Sequence, residues 1–231
     1  HYTVFGGEAT GLTIKNLKSF SCKGWSDGID LMCCNDVWID NVFMRNSDDC
    51  IAIYAHRWNY YGGSRNVTLQ NSILWADIAH PINIGGHGNP NDAIGEIVEN
   101  ITVRNVDILE QDEDDLPYQG CMAVDCGDKN LVRKILFEDI RVENIQEGRL
   151  FHINVRFNPT YDKQPGRGIE DVTFRNIIYN GLGENPSLIK GFDKERGVKN
   201  VTFDNVIING VKMKNIDGFI TNEHIKNIKV R

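Results

Sequence analysis

The chain has 231 residues, 41% of them hydrophobic, with 32 acidic against 25 basic side chains and a formal net charge of −7. That length can bury a core within one domain spanning 1–231, and the acidic balance argues against nucleic acid or anionic membrane as a partner, since both attract clustered Lys and Arg. No apolar run approaches the roughly 18 residues that cross a bilayer, and His1-Tyr2-Thr3 lacks the basic-then-apolar start of a signal peptide, so the chain reads as processed or truncated at its start and not membrane-bound.

Along the chain one short pattern recurs, in which two apolar residues alternate with variable ones and Asn or Asp follows. It occurs at Leu12–Leu17, Val37–Val42, Val67–Asn71, Ile101–Val106, Ile135–Ile140, Val172–Ile177 and Val201–Val206. Its polar members Asn16, Asn41, Asn71, Asn105, Asp139, Asn176 and Asn205 lie 25, 30, 34, 34, 37 and 29 residues apart. Such variation excludes a rigid helical repeat and fits coils with loops of unequal length. The segments are β-branched, and none carries a helix start-to-stop pattern. The expected fold is therefore all-β, a right-handed parallel β-helix of about seven to eight coils, each burying its apolar face against the next. The recurring Asn falls at a turn, where its tolerance of left-handed dihedrals and its amide suit a hydrogen-bonded ladder. The triplets beginning at Asn66, Asn100 and Asn200 follow from this repeat and are not read as glycosylation sites.

A second strand per coil is expected at Ile29–Leu31, Ile51–Ile53, Ile82–Ile84, Met122–Val124, Phe151–Val155, Leu188-Ile189 and Phe219-Ile220. Stacked as one sheet, these strands and the turns before them share a face carrying Asp27, Asp30, Asp48, Asp49, His80, Asn83, His87, Asp125, His152, Asn154 and Arg156. Long connections over 54–65, 85–97, 110–120 and 158–168 are expected to wall a cleft on that side. The run Asp112–Asp115 reads as a solvated loop, because its spacing misses the EF-hand pattern. Of six cysteines, Cys33, Cys34 and Cys50 read as buried thiols, while Cys121 and Cys126 are left open as a loop-closing pair. Residues 1–10 offer little to cover the apolar end of a β-helix, so further N-terminal coils, a capping segment or an oligomeric partner is expected there.

The chemistry concentrates in two segments, Trp25-Ser26-Asp27-Gly28-Ile29-Asp30-Leu31 and Asn46-Ser47-Asp48-Asp49-Cys50-Ile51-Ala52-Ile53. Asp27 precedes Asp48 by 21 residues and Asp49 by 22, and Ile29 precedes Ile51 by 22, so stacking as neighbouring coils makes the three carboxylates converge. Like charges raise one another's pKa, and chemistry is the usual reason to accept that cost.

These two segments resemble the polygalacturonase-type glycoside hydrolases (family 28), whose motifs read Asn-Thr-Asp-Gly and Asp-Asp-Cys-Ile-Ala-Ile; the dextranase and isopullulanase group (family 49) has a similar aspartate trio. The resemblance is specific over 25–54 and implies an inverting glycosidase on a parallel β-helix, without metal or cofactor. It makes Asp48 the general acid and has Asp27 and Asp49 hold and deprotonate the attacking water. Inversion requires one protonated and one ionised carboxyl group, separated by roughly 6.5–9.5 Å. The family's Gly-His-Gly motif has two counterparts, Ala79-His80-Pro81 and Gly86-His87-Gly88. His80 is preferred, because it precedes its Ile-x-Ile strand as Asp48-Asp49 precede theirs. Asn83 on the same strand joins the substrate-binding candidates. The family's Arg-Ile-Lys motif is absent: Ala123 and Asp125 stand in its place, and an aspartate there would repel a uronate, so a neutral glycan is favoured. Arg156, one coil further, and Arg57 could still supply positive charge. Tyr161 is matched to the family's tyrosine near the sugar, and Trp58 offers a stacking surface for a pyranose or packs as a lid.

The expected partner is thus a poly- or oligosaccharide, with secreted or periplasmic localisation. Two other readings compete. A non-catalytic, adhesin-like β-helix would use the carboxylates only to bind hydroxyls. A polysaccharide lyase or epimerase would want Ca²⁺ and a Lys or Arg base, and no basic residue adjoins Asp27 or Asp48-Asp49.

Overall fold

A computed structural model describes residues 1–182 and 185–231. The alternation of apolar and polar residues forms strands, and the strands stack in parallel because each repeat can bury its apolar face only against the next. One sheet has eight strands in the order Tyr2–Gly7, Asp27–Met32, Ile51–Tyr54, Ile82–Ile84, Met122–Cys126, Phe151–Val155, Leu188–Lys190 and Ile220–Thr221. Every neighbouring pair in it is parallel. A second sheet of eleven strands runs from Thr13–Lys15 through Asn35–Asp40, Ser64–Ala76, Ile97–Gln111, Leu131–Val142 and Gly168–Tyr179 to Val198–Ile208. The result is a right-handed parallel β-helix. Among the described residues the only helical element is the single 3₁₀ turn Leu116–Tyr118.

The space between the sheets is filled by like residues stacked on like. Ile29, Ile51 and Ile82 form one column, and Leu31, Ile53, Ile84, Val124, Ile153 and Ile189 another. Phe137, Phe174 and Phe203 stack at centroid distances of 5.0 and 5.2 Å with nearly parallel rings. Register is therefore specified coil by coil, since a slip of one residue would turn each column outward.

The asparagines form the expected ladder and adopt left-handed dihedrals, from φ 50° at Asn105 to φ 57° at Asn16. Asn41 donates to Asn16, Asn105 to Asn71 and Asn205 to Asn176 over 2.7, 2.7 and 2.9 Å, while Asn71 bonds Asp40 in place of Asn41. A second ladder, not anticipated from the sequence, joins Asp36, Asn66 and Asn100, and further on Asp171, Asn200 and Asn227. The three sequon-like asparagines are thus ladder members. Asn105→Ala removes two side-chain bonds and places a Cβ-bearing residue without a local amide in the left-handed region. It is expected to lower stability by about 1–2 kcal/mol, read as a lower urea midpoint, and Asn105→Gly by less.

All six cysteines are free, and Cys121 and Cys126 are both buried, so no bridge closes the loop between them.

Candidate active site

The parallel register that pairs Ile29 with Ile51 sets Asp27 level with Asp49 across the sheet. Gly28 makes the approach possible: a Cβ there would run into the carbonyl of Cys50. The backbone N–H of Gly28 donates to the carbonyl of Asp49 at 2.8 Å, and that of Asp49 donates to the Asp48 carboxylate at 2.9 Å. One oxygen from each of Asp27, Asp48 and Asp49 lies within 4.8 Å of the others.

The three carboxyl groups have different surroundings. Asp49 is buried and surrounded by donors. Its Oδ1 accepts from the His80 backbone at 3.1 Å and from His80 Nδ1 at 2.7 Å. Its Oδ2 accepts from Asn83, Tyr54 and Tyr118 at 2.9, 3.0 and 3.4 Å. Burial pushes the Asp49 pKa up, but the His80 charge and these bonds outweigh it and hold the group below the usual carboxylate range. Conversely, burial pushes His80 down and Asp49 more than reverses this, so the two form an ion pair. Asp27 is pushed up to about 8 by burial and then by the charges of Asp49 and Asp48. Asp48 is also raised, by burial and by Asp49, with its hydrogen bond to Asp27 acting in the opposite direction. Asp27 and Asp48 therefore hold a proton together, beside an ionised Asp49. A fourth carboxyl, Asp30, is buried and pushed up to about 9; its oxygen lies 3.9 Å from Arg57.

The trio opens into a cavity of about 450 Å³. Asn83, Arg156 and Tyr161 line it as expected positions for substrate contacts, together with Arg57, His87 and Tyr118. Three expected residues lie elsewhere. His80 is fully buried behind Asp49 and touches the cavity only through that carboxylate, whereas His87 of the literal Gly-His-Gly lies in the wall. Burial, with Arg57 and Arg156 close by, pushes His87 well down, so it is neutral. Asp125 is buried, within 3.4 Å of Arg156 and of His152, and presents no charge to the cavity. Trp58 packs outside, 5.9 Å from the Phe5 ring, with Arg57 4.5 Å above it. The acidic loop also departs from a solvated run, since Glu113 is buried and lines the cavity with Asp115.

Sequence reasoning missed Tyr54 and Tyr118 as ligands of Asp49. Tyr54 was legible, because strand alternation points it outward like Ala52. Tyr118 sits in a loop without periodicity and carried no signal.

Among the described residues the trio is also the group that could hold a metal ion together. Five donors already occupy the Asp49 oxygens, however, an arrangement suited to a hydrogen-bonded carboxylate more than to a ligand.

The chain is similar to several known proteins. The family model described as glycosyl hydrolases family 28 matches residues 7–224. "Endopolygalacturonase B" and "Probable endopolygalacturonase B", both from Aspergillus niger, are each 25% identical over 172 residues, covering 73% of this chain and 42% of theirs. The chain thus spans less than half the length of these relatives. The structure of a Yersinia enterocolitica family 28 exopolygalacturonase aligns with a TM-score of 0.46 at 12% identity, over 95% of this chain and 44% of that one.

Proposed function

The chain belongs to glycosyl hydrolase family 28, and on that premise we propose that it hydrolyses glycosidic bonds of a polysaccharide at Asp27, Asp48 and Asp49. The observation that carries the reading is a carboxyl trio in which one member is held ionised and the other two share a proton. Asp48 gives that proton to the leaving glycosidic oxygen. Asp27, left unprotonated as Asp48 gives up the shared proton, orients a water and accepts its proton as the water oxygen bonds to the anomeric carbon, beside an Asp49 that its donors hold ionised. No other reactant is required.

We assign inversion. The trio's oxygens stand within 4.8 Å, closer than the roughly 6.5–9.5 Å of an inverting pair, and this spacing supports retention through a carboxylate nucleophile as a second reading. Against it, Asp49 is saturated by donors and poorly placed to form a bond to carbon. NMR of the first-formed anomer decides between them, with the inverted anomer expected.

Asp125 is buried against Arg156, so it does not repel a uronate in the cavity and gives no preference for a neutral glycan. Arg57 lines the cavity beside an Asp30 whose raised pKa keeps it uncharged near neutral pH, whereas the Arg156 charge is met by Asp125 and Asp162, and the two relatives are named for polygalacturonate cleavage. The favoured substrate is therefore a uronate-containing polysaccharide, and an extracellular or periplasmic setting suits it. No helix among the described residues is long and apolar enough to cross a membrane.

Polygalacturonate, its carboxyl-reduced form, dextran, pullulan and galactan, assayed for new reducing ends, test this reading. Polygalacturonate is expected to be cleaved at least about tenfold faster than its carboxyl-reduced form, and no turnover of any of them would favour a purely binding β-helix. The pH profile is a further test. Asp27 keeps its proton until the pH rises through about 8 and shares it with Asp48, whose own pKa is raised, so kcat/KM is expected to hold through neutrality and fall as Asp27 ionises. An alkaline limb in the ordinary carboxylate range, about 4, would exclude the shared proton.

A further inference from the structure

On a β-helix whose substrate runs along the sheet, the outward side chains of successive coils are exposed as the floor of a groove. Here they are not. Beyond the trio Asn83 lines the cavity, but the outward residues Ala123, Asp125 and His152 of the next two coils are 0%, 1% and 1% exposed. The connection before Met122–Cys126 packs on Ala123 and His152 at Gly120, and Arg156, paired with Asp162 of the connection after Phe151–Val155, meets Asp125. Tyr118, from the connection before Met122–Cys126, lies edge-on to His80 at 4.3 Å and reaches Asp49 with its hydroxyl. Tyr161, from the connection after Phe151–Val155, stacks on Tyr118 at 6.1 Å and meets the His87 ring at 6.3 Å.

This wall is held from behind by buried polar groups. Arg149, 3% exposed, donates to the carbonyl of Leu116 and to Gln119, and Gln119 donates to the carbonyl of Glu113. Asp162 accepts from the Asn158 backbone at 2.9 Å and pairs with Arg156 at 3.2 Å, and Asp128 accepts from the backbone of Lys163 and Gln164. Moving either loop aside would strand these groups without partners, which is costly for buried polar atoms. The wall is a fixed part of the site.

We infer that the cavity accepts the end of a polysaccharide chain, and that the protein shortens its substrate from that end instead of cutting within it. The saccharide on the walled side of Asp27, Asp48 and Asp49 has no path to continue past Tyr118 and Tyr161, so it is the last of its chain. This inference rests on the glycosidase reading above, and it differs from the internal cleavage that the names of the two relatives describe.

The test uses the Asp48→Asn protein, which retains the pocket, and three ligands in calorimetry: tetragalacturonate, the same oligosaccharide with a bulky tag on its reducing end, and one with a bulky tag on its non-reducing end. At least one tag is expected to weaken binding by about tenfold or more, because a tag at the buried end cannot pass the wall. Equal binding of all three would overturn the inference and leave the glycosidase reading standing. No binding of any of them would overturn the inference together with the uronate pocket. With the unsubstituted protein, early digests of polygalacturonate are expected to contain terminal saccharides only, with viscosity nearly unchanged. A ladder of mid-sized fragments with an early fall in viscosity would exclude end-wise action while still showing hydrolysis.

Discussion

Asp48→Asn is expected to lower kcat by about 10²–10⁴-fold while leaving the protein folded. The amide occupies the same volume and still accepts from the Asp49 backbone, but it has no proton to give to the leaving oxygen. Stability gives an independent control. Asp48 has a raised pKa in the folded protein, so near neutral pH the unfolded chain ionises it more readily than the folded one, and the carboxyl opposes folding increasingly as pH rises above its unfolded value. Removing it should therefore leave the urea midpoint at pH 7 unchanged or higher. Lost activity with a higher midpoint separates a catalytic carboxyl from a structural one. Undiminished turnover would leave only the sugar-binding role for the trio.

His80→Ala is expected to be the most destabilising of these changes, by about 3–5 kcal/mol, because it strands a buried carboxylate. The sign of its pH dependence follows from both partners. His80 has a raised pKa, so its contribution is complete below its unfolded value, about 6.5, and fades as pH rises through the folded one. Asp49 has a lowered pKa, so its contribution is complete above about 3.9 and is lost as pH falls through the folded value. The pair contributes most between these limits, and urea midpoints of the two proteins should differ most near pH 5–6. In the variant, Asp49 loses the largest influence holding it ionised, so the acid limb of kcat/KM should move to higher pH. A change in stability with an unmoved acid limb would mean that His80 supports only packing.

The positions of these groups were legible to different degrees. The asparagine ladder, the inward isoleucine columns and the convergence of Asp27 with Asp48 and Asp49 follow from periodicity. In a parallel stack, sequence spacing of about one coil becomes adjacency in space, and strand alternation decides which side chains turn inward. The same logic set His80 beside Asp49. Periodicity could not say that His80 would be enclosed, because its cover is Tyr118, 38 residues later in a loop with no repeat. Asp125 shows the same limit. Its strand and outward direction were readable, but its charge is met by Arg156, 31 residues on, so it never faces the cavity. By itself, then, the sequence determined the scaffold and the trio, since both depend on a repeating register. Only the tertiary structure decided which polar groups are paired, which face the cavity and where the cavity ends, because those outcomes depend on loops shaped by individual side-chain contacts and not by any period.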